Sequence, residues 1–250
     1  QLVDRAAGWL TAAGATGGPV ALSAAAYYPG INDVLGMDPS GAPFNPRAMT
    51  AYAAWAGLPG LSGDARTVAR LAVAAGEVPF NTAPVSITNV RGLNDNPALG
   101  SPPAIRGTCT TCHDAPHIGH HSLPLPLDIG VGHAGQAGYE TDPAIAAGLT
   151  QLSRPDLPVF LVSGCPSPFG NNTPVSFYTT DPGKALNTGK CADLNRVKGP
   201  ILRGLAARAP YFHNGAAATL EEVVNFYNAR FQMGLTDLQR AELVAFLKTL

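Results

Sequence analysis

Apolar positions recur with a helical period in only a few parts of this 250-residue chain, most clearly at its C-terminal end. Leu243, Phe246, Leu247 and Leu250 form one stripe, read as a core-facing side. Thr236-Asp-Leu-Gln239 ahead of them is a capping box, so a helix is expected from there to the end. A second box, Thr219-Leu-Glu-Glu222, opens a helix to about Ala229. Upstream, Val68, Leu71, Ala72 and Ala75 share a face, which predicts a helix from about Gly63 to Ala75, capped by Ser62 and stopped by Gly76. Pro46 suits the first turn of a helix to about Ala56, with Tyr52 and Trp55 on one side. Residues 2–13 read as a short helix ended by glycines.

Between these segments, residues 14–45, 78–105 and 114–200 are dense in Gly, Pro and Asn and read as loop. One strand pair is expected, Val159–Val162 with Val175–Tyr178, bracketing a turn at Cys165. The pattern is mostly α with long Gly/Pro-rich loops and little β structure. It divides into an N-terminal extension or reduced domain, 1–61, and a main domain, 62–250.

Composition narrows the function. A net charge of −1 gives no reason to expect nucleic acid or an anionic membrane as partner. No apolar run is long enough to span a membrane. Charged residues are only 13%, while glycine (28) and proline (23) are abundant. Such a weakly charged surface fits a subunit buried in an assembly or a protein outside the cytoplasm. The chain opens at Gln1 on a polar, amphipathic stretch, as expected of an exported protein whose signal peptide has been removed.

The chemistry concentrates at Cys109-Thr-Thr-Cys112-His113, the attachment signature of c-type haem. Two thiols at this spacing can each bond one vinyl group along the same porphyrin edge, and His113 then lies beneath the iron as proximal ligand. A zinc site would need a second pair at ligand spacing, whereas Cys165 and Cys191 are isolated. A thioredoxin-like pair would need a βαβ setting. The chain holds one CxxCH, so one covalent haem c is expected. CxxCH attachment takes place on the outer side of the bacterial membrane, which implies a periplasmic or extracellular location. There Cys165 and Cys191 should form a disulfide closing a loop of about 26 residues.

The haem carboxylates need donors; Arg203 is the first candidate and Arg106 the second. For the sixth iron ligand, Met233 lies in the turn between the last two helices, where a sulfur could reach a haem face. His117, His120, His121 and His133 are read as loop groups near the haem edge, with His120, His121 or an open position as further alternatives.

Two stretches carry a family likeness: Phe80-Asn-Thr through His113-Asp, and Lys198-Gly-Pro-Ile-Leu-Arg203 through Ala-Pro-Tyr-Phe-His213-Asn-Gly to the end. They resemble the C-terminal haem domain of the bacterial di-haem cytochrome c peroxidase and MauG family, over about residues 62–250. The resemblance implies an electron-transferring haem domain. It also implies that the catalytic haem belongs to an N-terminal domain with its own CxxCH. It gives His213 an organising role near the haem. Fourteen residues after His213, where the peroxidases carry a Met ligand and MauG a Tyr, this chain has Tyr227. The family's interdomain calcium site is not carried over, since Arg208 stands where the peroxidases tend to have Thr and only one haem domain is present.

The expected function is an exported mono-haem cytochrome that passes single electrons to a redox partner, by apolar docking or as a subunit of a larger complex. The alternative is a MauG-like peroxidase or oxygenase with an open or Tyr-ligated iron.

Overall fold

The computed structural model describes residues 25–58, 64–120, 122, 125–133, 142–167 and 173–250. The helix expected at 2–13, the Ser62 cap and His121 lie outside these. Five α-helices and two small antiparallel sheets are described, so the described residues hold helices and little β structure. None of the described helices is long and apolar enough to cross a membrane.

Helix α1 spans Ala65–Thr82. Its cap is Asp64, whose carboxylate accepts the N–H groups of Arg66 (3.1 Å) and Thr67 (3.2 Å). Gly76 does not end it. An added Cβ there would stand 1.9 Å from the carbonyl oxygen of Glu242, so this glycine is the point where α1 and α5 (Asp237–Leu247) press together. The helix passes through Pro79, whose ring fixes a helical φ, and stops before Ala83-Pro84.

Helices α2 (Pro143–Leu149) and α4 (Leu220–Arg230) pack against one another. Among the described residues, the one α-helix between them in sequence is the single turn α3 (Ala185–Thr188). Both expected C-terminal helices form. At α4, Thr219 accepts the Glu222 N–H, but the Glu222 carboxylate turns instead to the Ala218 N–H and the Ser153 hydroxyl. At α5 the reciprocal box is complete, with Thr236 and Gln239 each bonding the other's backbone N–H.

The helix expected from Pro46 is absent; only a 3-10 turn at Ala53–Gly57 forms. The reason is competition for its backbone. Asn81 on α1 accepts the Met49 N–H and donates to the Met49 carbonyl, while Glu77 accepts the Tyr52 N–H. Those groups are satisfied by α1 side chains rather than by a helical ladder. Met49, Tyr52 and Trp55 enter the main core with Val73, Phe80 and Phe246. The described part of the 1–61 stretch therefore shares its hydrophobic core with the main domain.

Strands β1 (Val85–Ile87) and β2 (Ile105–Gly107) pair antiparallel in a region expected to be loop. Three-residue strands carry too few positions for an alternating pattern to show. The expected hairpin forms as β3 (Phe160–Cys165) and β4 (Val175–Thr179), with Leu161 opposite Tyr178. Cys165 ends β3 rather than lying in the turn, and it is bonded to Cys191 across 2.07 Å.

Candidate haem site

Strand β2 delivers the chain to Thr108, whose N–H donates to Thr111 Oγ1 at 2.9 Å. Cys109–Thr111 forms one 3-10 turn, and the His113 N–H closes back on the Cys109 carbonyl at 2.9 Å. Fully buried Thr110 anchors this turn by donating to the Pro46 carbonyl at 2.8 Å. The short turn thus brings both thiols and the imidazole to one wall.

That wall belongs to an apolar cavity of about 350 Å³. Cys109, Cys112 and His113 line it, as do Tyr227, Phe231 and Met233, and β1 contributes Val85 and Ile87. Burial pushes both thiols up to about 12, with Cys112 adding to the shift of Cys109 and the charge of Asp114 to that of Cys112, so both stand as neutral S–H groups. His113 Nδ1 lies 2.7 Å from the Gly119 carbonyl. A carbonyl can only accept, so Nδ1 carries the proton and Nε2 becomes the ring's acceptor, the form a metal requires.

The residues present fit a covalent haem. The cavity is apolar, it presents two uncharged thiols and a correctly tautomerised imidazole, and no Asp or Glu is among the described residues lining it. A group bearing two carboxylates would meet Arg208 and Lys198 instead. Arg208 is also tied to the chain, donating to the Ile201 carbonyl at 2.8 Å and to that of Arg203. Arg106, exposed on β2, and half-buried Arg203 do not border the cavity. Arg208, two residues before Pro210 in the family-like block, is a cationic side chain on the cavity that the residue pattern did not single out for this place.

Both distal candidates border the cavity. Met233 is buried in the connection between α4 and α5, between two residues of positive φ, Gln232 (53°) and Gly234 (67°). Tyr227 sits on α4, stacked on Phe231 with centroids 5.6 Å apart. Burial pushes its phenol above the usual range, and no partner for its hydroxyl is found among the described residues. The other histidines have separate places. His213 lines the cavity, and its Nδ1 contacts the buried Asp181 carboxylate at 2.9 Å. His120 meets Lys198 at 3.1 Å, and the His117 N–H donates to the Ala48 carbonyl. Burial, then the charge of Arg203, lowers the pKa of the His117 ring. His133 closes a 3-10 turn at Val131–His133.

A family model described as RoxA-like, cytochrome c-like, matches residues 198–233. The chain is 31% identical to a cytochrome-c peroxidase of Denitromonas iodatirespirans over 159 residues, 58% of this chain and 36% of the relative. It is 44% identical to the cytochrome c551 peroxidase of Nitrosomonas europaea over 75 residues, 27% of this chain and 21% of that protein. The matches span about a third or less of these relatives' lengths. No solved structure matches.

Proposed function

Because the chain carries a haem domain of the bacterial cytochrome c peroxidase family, we propose that it works as an exported, single-haem c-type cytochrome that passes single electrons. The observation that carries this reading is one apolar cavity whose lining holds Cys109, Cys112 and His113 together with Met233 and Tyr227. Haem supplies the one-electron chemistry at its iron. Cys109 and Cys112 would hold it covalently, and His113, oriented by the Gly119 carbonyl, would be its proximal ligand. The apolar lining excludes water, which limits reorganisation around a changing charge. Arg208 and Lys198 would face the carboxylates. A redox partner protein would dock where the haem edge is accessible.

A peroxidase or oxygenase reading stands beside it, favoured by the relatives' names and by Tyr227 within reach of the cavity. One set of measurements separates them. Denatured protein should retain a mass increment of one haem. The oxidised protein should show a six-coordinate spectrum and negligible turnover with hydrogen peroxide. An open, high-spin iron with rapid peroxide turnover would replace the carrier by the enzyme.

A further inference from the structure

Arg230, the last residue of α4, is fully buried, with 0% of its surface exposed. Its Nε donates to the Ile129 carbonyl at 3.0 Å and its Nη2 to the Thr88 carbonyl at 2.7 Å. The guanidinium lies 4.8 Å from the ring centroid of Phe231, which in turn stacks on Tyr227 at 5.6 Å. Ile129, Tyr227 and Phe231 all line the cavity, so Arg230 stands one side chain behind its wall.

A guanidinium does not release its proton in a protein, so this position holds a permanent positive charge. Lys198 and Arg208 also border the cavity, but both are exposed and water screens them. Arg230 has no such screen, and a buried charge acts over a longer distance. Its field reaches Asp142, the N-cap of α2, whose pKa is lowered against burial by the hydrogen bonds of the carboxylate and then by this charge.

We propose that Arg230 is a positioning residue for redox function: its buried charge raises the reduction potential of the haem. The proposal rests on the haem reading above. Oxidation of the iron removes one electron and leaves one more positive charge in the cavity. Arg230 repels that charge and so favours the reduced form. Asp142, which shares the field, partly offsets it.

The test is spectroelectrochemical titration of the holoprotein and four variants, at mildly acidic pH so that a buried ammonium keeps its proton. Arg230→Met should lower the midpoint potential, so that the ferrous-to-ferric ratio at a fixed ambient potential falls several-fold. Arg230→Lys keeps the charge and loses the two-armed hydrogen bonding; it should melt earlier yet hold a near-native potential. Asp142→Asn preserves a capping side chain and should raise the potential. Asp237→Asn, whose side chain is 96% exposed, should leave it unchanged. A purely structural Arg230 would move stability in both Arg230 variants and potential in neither. If Arg230→Met does not fold, Asp142→Asn decides: a rise supports the proposal, and an unchanged potential overturns it. Failure of the haem reading shows separately, as wild-type protein without covalent haem.

Discussion

The imidazole of His113 is tied through Nδ1 to the carbonyl oxygen of Gly119, six residues further along the chain and 2.7 Å away. The contact fixes both the tautomer and the ring plane of this imidazole, the one proposed as proximal ligand. Gly119 makes it possible with a φ of 66°. A Cβ there would meet Leu202 at 2.5 Å, so both backbone and space call for glycine.

Gly119→Ala should therefore act on stability and on the iron together. Strain and the clash with Leu202 should cost about 1–3 kcal/mol, seen in urea unfolding of the holoprotein. The displaced carbonyl should loosen the imidazole and alter the oxidised spectrum. A variant with native stability and a native spectrum would show that the contact is incidental.

The sixth ligand is decided by two substitutions with opposite readouts. If Met233 binds iron, Met233→Ala should abolish the weak charge-transfer band of methionine-ligated ferric haem and lower the potential. Tyr227→Phe should then change little. If Tyr227 binds, the pattern reverses, and Tyr227→Phe should open the iron and change its spin state. Absorption and electron paramagnetic resonance spectra of both variants settle the assignment.

The Cys165–Cys191 bond closes a loop spanning 26 residues and ties the end of β3 to the turn Cys191–Asp193. That turn precedes the cavity-lining residues Val197 to Pro200. Replacing both cysteines by Ser should cost about 3 kcal/mol, largely by freeing the unfolded chain, and lower the urea midpoint accordingly. Haem should still attach, since Cys109 and Cys112 are untouched. Alkylation of native protein without reductant should label neither Cys165 nor Cys191.

Glu77 should contribute a loss of stability between mildly acidic and neutral pH. This carboxyl is buried and pushed up to about 7 from 4.5, although the Tyr52 N–H bond favours its ionised form. The folded state thus holds its proton more tightly than the unfolded state does. That contribution is complete below about pH 4.5 and is lost as pH rises through 7. Carboxylates with lowered values, such as Asp38 at about 2, are ionised in both states across this window, whereas the lowered His117 ring opposes the trend, so the Glu77 part is read from the difference between wild type and variant. Glu77→Gln should flatten the pH dependence of the melting temperature, and a slope equal to wild type would rule out this origin.

Much of the site was legible from residue spacing. CxxCH put the two thiols and His113 together, because all three lie within one turn and need nothing distant to define them. The capping boxes located α4 and α5 for the same reason, although at α4 half of the box was diverted to Ala218 and Ser153. The β3–β4 hairpin and the Cys165–Cys191 pairing were read from alternation and from an even cysteine count.

What spacing could not reveal depends on groups far apart in the chain. Residues 46–56 had the pattern of a helix, but Glu77 and Asn81, on another element, took their backbone hydrogen bonds. Gly76 had the look of a helix stop, yet its glycine serves the carbonyl of Glu242 on α5. Arg208 and not Arg203 reaches the cavity, since which of two nearby arginines points inward depends on the course of the 201–210 loop. The charge of Arg230 lies behind Phe231 only because α4 closes against the loops carrying Thr88 and Ile129. Local periodicity and covalent chemistry act over a few residues and leave their mark in the sequence. Competition for a hydrogen bond, and the burial of a charge, are decided only when distant segments meet.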